Sequence, residues 1–129
     1  LQAAFGGDGA ASIYLPRNYP KQCLVYTGTH DFNTTKGWFI NELAEDQQQM
    51  TAKDITAENC QQLLISLAYS STANQVIIPI QNILGLGEEA RMNNPSHDKN
   101  NWTWRLDMND ITSGIEQQLL NFARVFGKI

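Results

Sequence analysis

Cysteine is scarce, with only Cys23 and Cys60 among 129 residues. Two thiols so far apart make neither a disulfide framework nor a closely spaced metal pair, so both are read as buried or incidental reduced thiols. Long apolar runs are also missing. The longest, Val76-Ile77-Ile78-Pro79-Ile80, is broken by a proline and falls far short of the roughly 18 residues of a membrane span. There is no Lys/Arg cluster, and 9 basic against 13 acidic residues leave a net charge of −4. That balance removes the electrostatic footprint that nucleic acid or an anionic membrane needs, so neither is expected as a partner, and a soluble chain is expected. Gly85-Leu86-Gly87-Glu88-Glu89 lacks both the third glycine of a dinucleotide loop and a Gly-Lys-Ser/Thr ending, which argues against nucleotide binding. Residues 1–11 carry neither the basic nor the apolar segment of a signal peptide, and Leu1 is not an initiator methionine. The expectation is a chain not directed to export and cut from a longer one.

What remains is enough for one ordinary domain, 42% hydrophobic. Residues 1–22 are dense in Gly, Ala, Pro and Asn and read as a long irregular loop. Cys23-Leu24-Val25-Tyr26-Thr27, stopping at Gly28, predicts a strand buried on both faces. A helix is predicted over Thr34–Glu45, carrying Trp38, Phe39 and Leu43 at helical spacing, with a short helical turn from the capping box at Thr51–Asp54. Thr56 is read as the cap of a longer amphipathic helix with Leu63, Leu64, Leu67, Ala68 and Ser71 on one face. Val76–Ile80 predicts a second buried strand, Ile83–Gly87 a turn, and Asn93–Asn101 a polar loop. Ser113-Gly114-Ile115-Glu116 matches a capping box before a helix that buries Ile115, Leu119, Phe122 and Phe126 and ends at Gly127. The fold class is therefore α/β, built on a parallel, right-handed βαβ unit. Two parallel strands cannot cover their own edges, so the unit calls for more sheet than this chain supplies.

Thr29, His30 and Asp31 fall at the carboxyl end of the first strand, where parallel α/β folds place their active sites. A carboxylate beside an imidazole can stabilise a cation, move a proton or help bind a metal; equally, Asp31 can cap the following helix while His30 satisfies a loop carbonyl. A second pair, His97-Asp98, allows a dinuclear metal site to be imagined, but the spacing matches no compact ligand motif and the surrounding residues are ordinary solvated loop. Phe5, Tyr14, Tyr19, Trp38, Trp102 and Trp104 lie near segments rich in Asn, Asp, Arg and His. Flat apolar faces beside amides and carboxylates suit a sugar, although Trp38 and Phe39 on a helix read as core.

Tyr26-Thr27-Gly28-Thr29-His30-Asp31, with Thr34-Thr35 and Gly37-Trp38, resembles the 4-α-glucanotransferases known as amylomaltases or disproportionating enzymes. Three more segments agree in order: Phe5-Gly6-Gly7-Asp8 with Leu15–Pro20, Ile78–Gly87 through Glu89–Asn93, and Asn101-Trp102-Thr103-Trp104-Arg105. The resemblance implies that residues 1–129 are the C-terminal portion of a (β/α)₈ barrel, an incomplete TIM barrel, from a retaining enzyme that moves α-1,4-glucan segments between maltooligosaccharides. It implies no cofactor and no metal, a cytoplasmic or plastid-stromal location, and the remainder of the barrel as the missing partner. Asp31 is then the carboxylate that stabilises the oxocarbenium-like transition state, His30 hydrogen-bonds the donor sugar, Asn93 lies near the donor site, and Phe5 matches an acceptor-side aromatic.

The departures from the family pattern are local, with one exception. Phe32 and Asn33 stand where Asn-Asp is usual after His-Asp, and Asn94-Pro95-Ser96 stands for Thr-Pro-Gly. The exception concerns chemistry: retention requires a nucleophile and an acid/base roughly 5 to 5.5 Å apart, and no segment here resembles either. The isolated chain is therefore expected to be inactive. A degenerate carbohydrate-binding module and a metal-dependent hydrolase on the two His-Asp pairs are the alternatives.

Overall fold

The computed structural model describes residues 1–5, 13–43 and 55–129. Strands β1 (Leu24–Tyr26) and β2 (Gln75–Ile77) pair in parallel, Leu24 opposite Gln75, Val25 opposite Val76 and Tyr26 opposite Ile77. A parallel pair needs a long crossover, and here it carries helices α1 (Thr35–Asn41) and α2 (Cys60–Ser70). After β2 come the single turn α3 (Ile80–Ile83) and the longer α4 (Ser113–Val125). The α/β class and the parallel βαβ unit agree with the sequence reading.

Helix starts follow side-chain chemistry more closely than hydrophobic spacing. Thr34 caps α1, its hydroxyl accepting from the Gly37 amide at 3.1 Å. Gly37 itself is dictated by close approach, because a Cβ there would lie 2.3 Å from Asn33 Oδ1. The helix ends sooner than Glu45, with Glu42 already its C-cap; the turn predicted at Thr51–Asp54 lies outside the described residues. Thr56 does accept from the Glu58 amide at 3.2 Å, but it organises a turn, and α2 begins only at Cys60. The predicted strand Val76–Ile80 is cut short because Pro79, which has no amide hydrogen for a ladder, caps α3 and turns Ile80 into a helix. For α4 the cap is Thr112, accepting from Ile115 N, and Ser113 is the first helical residue. The helix stops at Gly127, whose φ of 62° favours glycine.

Two apolar clusters flank α2. Cys60 and Leu64 pack with Trp38, Phe39 and Leu43 of the α1 segment, while Ala68 packs with Val25 and Ala73 beneath the sheet. The opposite face of the sheet is bare: Leu24 and Tyr26 are 40% exposed and Ile77 55%, so neither strand is buried on both faces as predicted. Among the described residues, helices cover one face of the sheet alone. α4 is likewise less buried than expected, none of its residues being fully enclosed. It leans on α2 through the stacked rings of Tyr69 and Phe122, 5.3 Å apart, and a 2.9 Å bond from Gln118 to Gln62. Just beyond it, the Lys128 ammonium donates to the carbonyls of Ser71 and Ala73, placing a cation at the negative end of α2. No helix among the described residues is long and apolar enough to cross a membrane.

One buried amide ties the carboxyl ends of both strands together. Asn82, 2% exposed, donates from Nδ2 to Thr27 Oγ1 at 2.8 Å and accepts at Oδ1 from the Thr35 amide at 2.8 Å. Thr27 and Thr35 are both inaccessible to solvent. Asn82→Ala strands two buried polar groups and is expected to destabilise the fold by about 2–4 kcal/mol in urea unfolding; a loss below ~0.5 kcal/mol would show that the bracket is not a constraint. The cysteines are both free, yet unequal. Cys60 is fully enclosed, and burial pushes its thiol up from the ordinary cysteine range. Since the thiolate is the reacting species, iodoacetamide at pH 8 should label the partly exposed Cys23 promptly and Cys60 only at the rate of unfolding, which peptide mass spectrometry will resolve.

Candidate active site

β1 ends at Tyr26, and the chain leaves its carboxyl end through Thr27, which the Asn82 bracket holds, before turning at Thr29–Phe32 on a 3.2 Å bond from Phe32 N to Thr29 O. The turn presents His30 and Asp31 with side chains 56% and 47% exposed, His30 Nε2 lying 3.4 Å from Asp31 Oδ2. This is an ionic pair whenever the imidazole is protonated. The segment after β2 meets it from the other side. α3, the Leu84–Gly87 turn and a 3₁₀ turn at Glu88–Ala90 carry the chain to Asn93. There the Asn93 amide donates to the His30 carbonyl at 3.0 Å, and its side-chain Nδ2 donates to Asp31 Oδ1 at 2.6 Å. Three residues picked out in the sequence, Asp31, His30 and Asn93, are thus brought together.

Trp102 completes the cluster. Its ring lies 5.1 Å from that of His30, and its backbone donates to the Met92 carbonyl at 2.6 Å. It holds φ at 62°, a conformation costly for a bulky residue and typical of positions that the surroundings over-determine. The polar loop before it is closed by Asn101, which accepts from the Asn94 amide and donates to the carbonyls of Asn94 and His97. His97 therefore serves loop geometry. Among the described residues no three His, Cys, Asp or Glu side chains converge on a position that could hold a metal ion, so nothing supports the two-pair metal alternative. Phe5 packs in the first core cluster against Trp38, ring centroids 5.4 Å apart, and is not among the groups gathered around Asp31.

A polar network that single segments of sequence do not reveal lies behind these groups. Asn33, 2% exposed, donates from Nδ2 to Glu42 Oε1 at 2.9 Å and to Glu88 Oε1 at 3.2 Å. An aspartate here would set a third carboxylate against two others, which explains how asparagine fits at this departure from the family pattern. Asn41 donates to Glu88 as well. Arg91 donates to Glu42 Oε1 at 3.2 Å, to the Asp31 carbonyl at 2.9 Å and to the Asn93 carbonyl at 2.9 Å. Arg91, Glu42 and Asn33 come from three separate segments, and only their distances in space mark them as parts of one site.

His30 also lines an open pocket of about 400 Å³ with Tyr26, Phe32, Ile77 and Met92. Part of its wall is the bare face of the sheet, Leu24, Tyr26 and Ile77. Chemically the cluster offers one exposed carboxylate with each oxygen addressed by a different neighbour, beside an imidazole and an indole: a good acceptor for hydroxyls and a good counter-charge for a developing cation. Glu42 and Glu88, the other carboxylates nearby, are engaged by Asn33, Asn41 and Arg91.

A family model for 4-alpha-glucanotransferases matches residues 1–110. A 4-alpha-glucanotransferase from Clostridium butyricum is 37% identical over 131 residues, an alignment that takes in 99% of this chain and 27% of the relative. A chloroplastic/amyloplastic 4-alpha-glucanotransferase from Solanum tuberosum is 42% identical over 135 residues, with 100% of this chain and 23% of the relative covered. Among solved structures, an amylomaltase from Streptococcus agalactiae in complex with acarbose superposes with a TM-score of 0.85 at 26% identity, over 98% of this chain and 26% of that one. The chain thus spans about a quarter of the length of the relatives it matches. The matched motifs and the superposition place it in one family: the chain belongs to the 4-alpha-glucanotransferases.

Proposed function

We propose that residues 1–129 form one part of the (β/α)₈ catalytic barrel of a retaining 4-α-glucanotransferase, its C-terminal portion, which transfers α-1,4-glucan segments between maltooligosaccharides. Family membership supports the reaction class. The carrying observation is the 2.6 Å bond from Asn93 Nδ2 to Asp31 Oδ1 beside His30, at the carboxyl ends of parallel strands where barrels hold their sites. In this reading Asp31 accepts hydrogen bonds from donor-sugar hydroxyls and stabilises the oxocarbenium-like transition state, a role for which an oriented, pre-paid negative charge is suited. His30 and Asn93 hold that carboxylate and the sugar, and Phe5 contributes on the acceptor side. No cofactor takes part. The nucleophile and the acid/base come from the rest of the barrel, whose strands cover the bare face of Leu24, Tyr26 and Ile77. The compartment is the cytoplasm, or a plastid like that named for the Solanum tuberosum relative.

The reading has two measurable consequences. Residues 1–129 alone, incubated with maltotriose, should release neither glucose nor longer maltodextrins; products from the isolated chain would refute it. In the polypeptide encoded by the whole reading frame, Asp31→Asn should lower kcat by about 10²–10³-fold, the usual effect of removing one charge-stabilising group, with the melting temperature little changed.

A further inference from the structure

The bond between Asp31 and Asn93 joins two loops that extend from different strands, and a 2.6 Å contact between side chains on separate loops needs both backbones fixed. Arg91 fixes both. Its Nη2 donates to the backbone carbonyl of Asp31 at 2.9 Å, and its Nε donates to the backbone carbonyl of Asn93 at 2.9 Å. The third direction of the guanidinium is anchored: Nη1 meets Glu42 Oε1 at 3.2 Å, and Glu42 Oε1 is in turn held by Asn33 Nδ2 at 2.9 Å. Only 15% of the Arg91 side chain is exposed. Its donors are directed at protein groups, so its action on a sugar is indirect.

We propose that Arg91 is a positioning residue for the transfer reaction. It locks the peptides that carry Asp31 and Asn93 at a fixed separation, so that the Asp31 carboxylate is already oriented before substrate arrives. The planar fork of arginine is what allows this, since three donors diverge from one rigid group, whereas a lysine ammonium is a single point charge that cannot reach all three acceptors. Glu42 aims the fork from α1, which makes the C-terminal end of that helix part of the same device. The proposal rests on Asp31 being the transition-state carboxylate.

The test uses the polypeptide encoded by the whole reading frame, with maltotriose as substrate. Arg91→Lys should lower kcat by about 10–100-fold, the effect expected of a displacement near 1 Å, while KM changes less than about threefold and the melting temperature is nearly kept. Glu42→Gln, which leaves the fork in place but removes its ionic anchor, should lower kcat less, by about three- to tenfold. A wild-type kcat in Arg91→Lys, or a rise in KM alone, overturns the proposal. If Arg91→Lys fails to fold, Glu42→Gln decides in the same way. Asp31→Asn separates the two ideas: full activity there removes the catalytic reading itself, whereas an inactive Asp31→Asn with a normal Arg91→Lys removes only the role of Arg91.

Discussion

The side-chain amide of Asn82 is the contact on which the rest of the molecule's upper end depends. Parallel strands present their carboxyl ends side by side, and the loops that leave them diverge unless something holds them. Here one fully enclosed amide uses its donor on the end of β1 and its acceptor on the start of α1. Water has no access to compete for either bond, so each is worth more than the same bond at the surface. The turn that carries His30 and Asp31 starts and finishes at these two tethers, which confine it from both ends.

Outside that bracket the site is organised by charge. Glu42 and Glu88 lie close to the same asparagine, an arrangement that is tolerable because Asn33, Asn41 and Arg91 all present donors. Part of the acidic balance of the chain is in this way gathered beside the candidate site, where Glu42 and Glu88 are engaged by protein donors. Trp102 adds a lid-like contact on His30 from the far loop, at the expense of a left-handed backbone that its amide bond to Met92 helps to hold.

How much of this was readable beforehand depended on whether the cause was local. The helix start near Thr34, the strand around Val25 and the glycine stop at 127 are set by residues within one turn of one another, and all three were legible, although the cap of that helix is Thr34 and not Asp31. The second strand was overdrawn because hydrophobicity continues through Pro79 while the hydrogen-bonding ladder cannot. Burial of β1, β2 and α4 was overestimated for a different reason: apolar composition reports what a segment is suited to cover, whether or not the covering element belongs to the same stretch of chain. His30, Asp31 and Asn93 were legible through motif resemblance. Arg91 and Glu42 were not assigned roles, since nothing near either residue announces a fork that meets three segments at once.

The parallel ladder also constrains the order in which the chain can assemble. Val25 pairs with Val76, and the whole helical crossover lies between them, so no hairpin can nucleate the sheet and its loop-closure entropy must be met in one step. On the ribosome β1 emerges well before β2, the strand it pairs with at this edge. Until α1 and α2 have packed around Cys60 and Leu64 and brought β2 into place, the side of Leu24–Tyr26 that Gln75–Ile77 will occupy is an open edge, the kind of surface on which a foreign strand can pair.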